Sequence, residues 1–208
     1  MPVMKTHHKT RASETYRHES PKNNRVIDCM SGLEHGFALI SEYAINIVAI
    51  EEQPEKFRVP ADPKPFYAIP DFKVTLDTGE VEYVEVKPSR QAEKKKKRLD
   101  AIKEHITSLG FNYKVMTEKE IRRSDMLLQN CLFLKAFRSR SNNSVSALLN
   151  MVPDCPVTFG KWAKYIGDRN ALVEMIAHQL VYIDLYQPIT DDSVIRPLKG
   201  GDYESLYY

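Results

Sequence analysis

Residues 1–28 show no hydrophobic period and are rich in polar and basic side chains, which predicts a flexible arm. Periodicity begins after Ser31. Leu33, Phe37, Ile40 and Ala44 recur at helical spacing, and Ser31 followed three residues later by Glu34 is a capping-box pattern. The spacing predicts a helix ending near Tyr43–Ile45. A strand is expected over Ile47–Ile50 and a short one near Phe57–Val59, followed by a loop through Pro60, Pro63 and Pro65. After Pro70-Asp71, apolar Phe72, Val74 and Leu76 alternate with Lys73 and Thr75. Asp77-Thr78-Gly79 reads as a turn, and Val81–Lys87 as a second strand. A three-residue hairpin loop ends on a left-handed residue, a place that suits Gly79. That register sets Leu76 opposite Glu80 and Asp71 opposite Glu85. Glu85 and Lys87, two apart, share one face. The expected hairpin therefore has an apolar face of Phe72, Val74, Leu76, Val84 and Val86, and a second face that gathers Asp71, Glu85 and Lys87.

Residues 91–109 read as a helix whose buried stripe is Leu99, Ile102, Ile106 and Leu109, with Gly110 as its stop. Phe111–Met116 is a further strand. Thr117 with Glu120 is a second capping box that starts a short helix. Composition shifts at Ser139–Ser144, a candidate linker. Beyond it, short helices are expected at Ser144–Met151, Thr158–Ile166 and Arg169–Leu180. A hairpin of Val181–Tyr186 and Ser193–Leu198 follows, turned at Thr190-Asp191-Asp192. Three helices and a terminal hairpin form a winged helix-turn-helix pattern. The expected division is an arm at 1–28, an α/β domain at 29–138, a winged-helix-like domain at 142–198 and an acidic tail at 199–208.

Hydrophobic residues at 42% and charged ones at 28% allow a sizeable core. Net charge is only +2, so total charge does not argue for a polyanionic partner. Its distribution does. Residues 87–103 hold eight Lys or Arg against Glu93 and Asp100, and the first 25 residues hold six basic against two acidic. Cys29, Cys131 and Cys155 lie far apart, with neither zinc-knuckle spacing nor an even count, and read as reduced thiols of a cytosolic protein. No apolar stretch follows the basic start, so no secretory signal is expected, and no run is long enough to span a membrane. His7 and His8 read as part of a solvated tail. His35, His105 and His178 are isolated, and no catalytic histidine pair is apparent.

Hydrolysis of a phosphodiester needs an activated water and a counter-charge for the pentavalent phosphorus. Hard oxygen ligands around Mg²⁺ serve both needs. Asp71 and Glu85 are placed to hold such an ion, and the carbonyl of Val86 lies between Glu85 and Lys87 to add a ligand. Lys87 is placed to orient or deprotonate the water, or to stabilise the developing charge. A Glu-x-Lys triplet alone is cheap: Glu93 and Lys95 form another on a helix. Order and context carry the signal. Pro-Asp opens one strand, the triplet closes the next, and a basic helix start follows.

That Pro70-Asp71 … Glu85-Val86-Lys87 pattern resembles the PD-(D/E)xK nuclease superfamily. More closely, the chain resembles TnsA, the endonuclease subunit of heteromeric cut-and-paste transposases. The stretches concerned are Ser31-Gly32-Leu33-Glu34, Ile50-Glu51-Glu52-Gln53-Pro54, Ile69-Pro70-Asp71-Phe72, Val84-Glu85-Val86-Lys87-Pro88 and Val115-Met116-Thr117-Glu118. The resemblance spans roughly residues 29–198 and is more specific in its first half. It implies a restriction-endonuclease-like α/β core with a mixed sheet, followed by a small winged helix. It implies Mg²⁺ (with Mn²⁺ as substitute), and DNA at transposon ends, nicked at the 5′ side to leave 3′-hydroxyl and 5′-phosphate. As partners it implies a TnsB-like DDE transposase and a TnsC-like AAA+ ATPase. It places the first-helix acid of the nuclease core on Glu34, as a catalytic residue and outer metal ligand. Glu85 departs from the prototype, which has Gln there, toward the wider superfamily pattern.

Without the resemblance, Glu34 reads as a capping residue. Gln53 at a strand end is open to three roles: touching DNA, touching the active-site water, or fixing a turn. Arg90, Lys94, Lys95, Lys96, Lys97 and Arg98 form either a solvated face or, directly after the catalytic strand, a phosphate clamp. Lys161, Lys164 and Arg169 are further phosphate contacts unless the second domain serves protein contacts. Trp162 and Tyr165 read as core or interface, and Tyr203, Tyr207 and Tyr208 as a partner-binding tail. Two rival readings stand: a stand-alone restriction or repair nuclease, and a non-catalytic DNA-binding scaffold with a nuclease-like fold.

Overall fold

The hairpin of Phe72–Leu76 and Val81–Val86 is the frame on which the rest is hung. A computed structural model describes residues 15–138 and 143–198. The expectations for the first part of the arm with His7 and His8, the linker over 139–142, and the tail with Tyr203, Tyr207 and Tyr208 lie outside the described residues. The elements in chain order are β1 (Tyr16–Ser20), β2 (Arg25–Cys29), α1 (Gly32–Tyr43), β3 (Ile47–Glu52), β4 (Phe57–Val59), β5 (Phe66–Ala68), β6 (Phe72–Leu76), β7 (Val81–Val86), α2 (Ser89–Lys94), α3 (Lys96–Ser108), β8 (Asn112–Met116), α4 (Glu118–Ile121) and α5 (Asp125–Arg138). There follow α6 (Val145–Leu149), β9 (Val157–Thr158), α7 (Phe159–Ile166), α8 (Arg169–Ala177), β10 (Val181–Tyr182) and β11 (Val194–Pro197).

The central sheet has the order β3-β6-β7-β8. Its first three strands are antiparallel and β7 pairs parallel with β8, so the sheet is mixed, as expected. The β6–β7 register is the one the turn chemistry dictates. Phe72 faces Val84 and Thr75 faces Val81, and Leu76 N–H donates to the Glu80 carbonyl at 2.9 Å. Gly79 takes φ +85°, where a side chain would be strained.

Phe72, Val74, Val84 and Val86 are buried against α1, and the Phe37 and Phe72 rings lie 5.0 Å apart. The other face is not left open, contrary to the simple two-sided reading. At one end it carries a second core in which Tyr83 and Tyr113 pack with Leu99, Ile102 and Ile106 of α3 and with Phe57, Val59 and Ala68 of the β4–β5 pair. Leu109, expected in that stripe, is 51% exposed, because the chain has already turned away at Gly110 (φ +89°). The expected single helix over 91–109 is two, broken at Lys95 and starting earlier at Ser89.

Two further corrections concern elements the pattern did not reveal. The flexible arm expected over 1–28 does not hold for residues 16–28, which form the β1–β2 hairpin. Its inward side chains on β1 are His18 and Ser20, both buried, so no hydrophobic alternation announces it. Ser20 donates to the buried carboxylate of Glu42 at 2.8 Å. Lys22, in the turn, donates to the carbonyls of Ser41, Ala44 and Ile47, capping the end of α1. The second is α5, a fourteen-residue helix with apolar side chains on more than one face. Leu127, Cys131 and Leu134 are buried while Leu132 and Phe133 are exposed, which blurs the helical period.

Helix α5 packs against both α1 and α8. Beyond residue 142 the order is α6, β9, α7, α8, β10, β11, with a three-stranded sheet β10-β11-β9. Every residue from Ala171 to Ala177 of α8 is buried. One continuous apolar cluster runs from Ile27 and Phe37 through Leu127 to Leu172 and Ile195. Cys29 and Cys131 lie in it as free thiols, and burial pushes both thiols up to about 12. Among the described residues no helix is long and apolar enough to cross a membrane.

Candidate active site

Asp71 stands immediately before β6 and is opposite Glu85 in the register that pairs Phe72 with Val84. Three backbone hydrogen bonds hold this corner. Gln53 N–H donates to the Asp71 carbonyl at 2.9 Å, Val86 N–H donates to Asp71 Oδ2 at 2.7 Å, and Lys87 N–H donates to the Met116 carbonyl at 3.0 Å. Gln53 itself sits at φ +42°, a left-handed conformation uncommon outside glycine and asparagine, at the point where β3 hands over to the β4–β5 excursion. Of its three possible roles, the structure displays the fixing of a turn.

The side chains converge. Lys87 Nζ is 2.8 Å from Asp71 Oδ2 and 2.9 Å from Glu85 Oε1. All three are largely but not wholly covered, with side-chain exposures of 20%, 19% and 13% for Lys87, Asp71 and Glu85. Burial raises the Glu85 carboxyl above its ordinary range. The nearby Asp71 charge adds to this, and Lys87 and Lys95 offset part of it. Burial pulls the Lys87 ammonium down, but the Asp71 and Glu85 carboxylates outweigh it and leave the group above its usual value. Lys87 is thus a firmly protonated cation bridging two crowded carboxylates.

That arrangement tests whether a divalent ion fits. Two hard-oxygen donors already converge on one cationic centre, and their mutual repulsion is what a 2+ charge relieves. The Val86 carbonyl is the third oxygen that the strand direction offers. Its N–H is directed to Asp71, on the side away from β8, and within a strand the carbonyl of the same residue points the same way. The donor set therefore fits Mg²⁺ or Mn²⁺.

Glu34 does not join this set. Its Oε2 accepts from Met30 N–H at 2.7 Å and its Oε1 from the Ser31 hydroxyl at 2.9 Å, while Ser31 Oγ accepts from Glu34 N–H at 3.2 Å. Both carboxylate oxygens are committed to the start of α1. Among the described residues, no three His, Cys, Asp or Glu side chains gather where they could share a metal. In this geometry Glu34 caps the start of α1, as its spacing from Ser31 predicts.

Arg90, Lys94, Lys95, Lys96, Lys97 and Arg98 are all exposed on α2, the break at Lys95 and the start of α3. Lys95 lies close enough for its charge to act on Glu85. Arg98 is engaged elsewhere: its guanidinium stacks 3.8 Å from the Phe66 ring centroid and donates to the Tyr67 carbonyl at 2.9 Å. Lys161 and Lys164 are exposed on α7. Arg169 bonds to Asp191 and stacks on Phe159, so the structure brings none of these three to the hairpin.

Two side chains to which the sequence assigned no role bear on the site. Glu118 accepts from both the N–H and the hydroxyl of Ser89, pinning the start of α2 directly after Lys87. The hydroxyl of Tyr113 is buried without a hydrogen-bond partner. Burial, then the Glu85 and Asp71 charges, push its pKa upward, so it remains a protonated donor beside the carboxylates. No short-range signal marks either residue, since both act across strand β8 and the sequence gap it closes.

A mixed sheet with helices on both faces and an Asp, Glu and Lys converging at one hairpin edge is the architecture of a nuclease-like α/β core. Residues 45–118 match the model of the family described as TnsA-like endonuclease N terminal. The matched segment includes Asp71, Glu85, Lys87 and the basic helix start. Among curated proteins, none matches the chain.

Proposed function

We propose that the chain is a Mg²⁺-dependent DNA endonuclease, the subunit of a heteromeric transposase that nicks the 5′ ends of a transposon. The observation that carries the reading is the Lys87 ammonium held 2.8 and 2.9 Å from Asp71 and Glu85, inside the TnsA-like segment. Asp71, Glu85 and the Val86 carbonyl would hold the ion. Bound there, Mg²⁺ or Mn²⁺ supplies Lewis acidity at the phosphate and a more acidic water. Lys87 positions the attacking water and offsets negative charge as it develops on the phosphate oxygens. Asp71 keeps Lys87 protonated and in place, and Val86 N–H keeps Asp71 in place. Arg90 and Lys94 to Lys97 hold the phosphate backbone beside the scissile bond. Glu34, which caps α1, is the outer metal ligand in this reading.

For the C-terminal part we infer a winged-helix module. The order helix, strand, helix, helix, hairpin and its three-stranded sheet support this. Its last helix, α8, is buried from Ala171 to Ala177, so the module offers packing and protein contacts in preference to groove reading. Lys161, Lys164 and Arg169 remain phosphate contacts at its edge. Partners in this reading are DNA, a TnsB-like DDE transposase and a TnsC-like AAA+ ATPase.

Two measurements test the proposal. Titration calorimetry with Mn²⁺ is expected to show binding to wild type and none to Asp71→Ala; no binding to wild type favours a non-catalytic scaffold. Mixing the chain with a cognate DDE transposase on end-labelled transposon DNA is expected to give 5′-strand nicks with both proteins present. Cleavage by the chain alone favours a stand-alone nuclease.

A further inference from the structure

Strands β4 and β5 leave the central sheet between β3 and β6 and pair only with each other, with Arg58 opposite Tyr67 and Phe57 opposite Ala68. One face of this ribbon is anchored. Phe57, Val59 and Ala68 are buried with α3, and Phe57 meets the Tyr83 ring edge-on at 5.0 Å. Arg98 clamps it through the Phe66 ring and the Tyr67 carbonyl. The other face is exposed and cationic. Tyr67 is 58% exposed, Lys56 Nζ lies 4.1 Å from its ring centroid, and Arg58 stands beside it. Among the described residues neither Lys56 nor Arg58 forms an ion pair.

Its place in the chain gives this face a meaning. The ribbon ends at Ala68, three residues before Asp71, and the basic helix α2 begins two residues after Lys87. Arg98, at the start of α3, ties the ribbon to the helix that follows α2. Both approaches to the site are thus rimmed by unpaired cations, and the ribbon adds an exposed aromatic ring of the kind on which a sugar or base stacks. An exposed tyrosine and two unpaired cations contribute little to folding, while a phosphate backbone complements them directly.

We propose that the outward face of the β4–β5 ribbon, through Lys56, Arg58 and Tyr67, holds the DNA backbone flanking the bond cut at Asp71. This deepens the nuclease reading and rests on it. Fluorescence anisotropy of the full chain on a labelled duplex, in EDTA over a salt series, tests it. The variant Lys56→Ala/Arg58→Ala is expected to bind about tenfold more weakly at moderate salt and to lower the salt slope by about 2, near 0.9 per phosphate contact. Tyr67→Ala is expected to lose about tenfold with the slope unchanged. Mn²⁺ binding measured by calorimetry should match wild type for both, which separates a lost contact from a damaged fold. If wild type binds DNA and both variants bind it with the same affinity and slope, the ribbon proposal falls and the nuclease reading stands. If the variants keep DNA affinity but lose the transposase partner, the face belongs to a protein and the proposal is overturned. A wild-type chain that binds no duplex at low salt removes the nuclease reading and the ribbon with it.

Discussion

Lys87 illustrates how much a single side chain depends on its neighbours. A lysine this covered ordinarily loses its proton more readily, yet two carboxylates within 2.9 Å reverse that. In the proposed mechanism the ammonium and a divalent ion are therefore rivals for Asp71 and Glu85. Lys87→Ala removes the rival and the water-positioning group together. It is expected to cut DNA at least about 100-fold more slowly, while its Mn²⁺ affinity by calorimetry equals or exceeds wild type. Unchanged cleavage takes Lys87 out of the mechanism; lost Mn²⁺ binding shows that it shapes the carboxylate pair as well. Asp71, Glu85 and Lys87 were legible as one face because a strand alternates with period two and Gly79 sets the register. Tyr113 was not, because its nearness to Glu85 depends on β8 returning parallel after a helix.

Among the elements, the β1–β2 hairpin and α1 form the clearest case of polar architecture. Glu42 is 2% exposed and is met by Ser20 Oγ, Lys22 N–H, His18 and Arg138. Burial raises the Glu42 carboxyl, but the nearby His18 and the hydrogen bonds from Ser20 and Lys22 outweigh it and leave the pKa below its ordinary value. A depressed carboxyl contributes stability that is present above its unfolded pKa and lost as pH falls through the folded one. Glu42→Gln strands buried cations and is expected to cost about 3 kcal/mol at pH 7. In urea unfolding, that deficit should shrink progressively as pH drops below about 4.3, the ordinary glutamate value. A deficit independent of pH down to acid denaturation would show that shape and not charge holds this corner. The hairpin escaped a hydrophobic reading for the same reason: its inward positions are His18 and Ser20, which are buried only because Glu42 is there to receive them.

At the scale of the whole molecule, the two halves share a core. Asn130 on α5 donates from its side-chain amide to the carbonyls of Leu185 and Gln187 at 2.9 Å, and the Gln179 amide donates to the Glu42 carbonyl at 2.6 Å. With the apolar cluster continuous across α1, α5 and α8, the halves should unfold together. The sole tryptophan, Trp162, lies in α7, beyond the segment matched at 45–118, with its Nε1–H donating to the Met151 carbonyl. Urea transitions followed by Trp162 fluorescence and by far-ultraviolet circular dichroism are expected to coincide. Two separated midpoints would establish independent domains and an interface too weak to couple them.

Local chemistry determined the elements whose cues are short-range: the capped start of α1 at Ser31, the Gly79 turn and its register, the capping box at Thr117, and the convergence of Asp71, Glu85 and Lys87 on one strand face. Each depends on residues a few positions apart along the chain. Tertiary structure alone decided the rest. It folded residues 16–28 onto α1, set α5 between the halves and buried α8. It also brought Arg98 onto the β4–β5 ribbon, 31 residues from Tyr67 in sequence. Those outcomes depend on which surfaces meet after collapse, and a polar residue or an all-round apolar helix carries no periodic mark of the partner that will cover it.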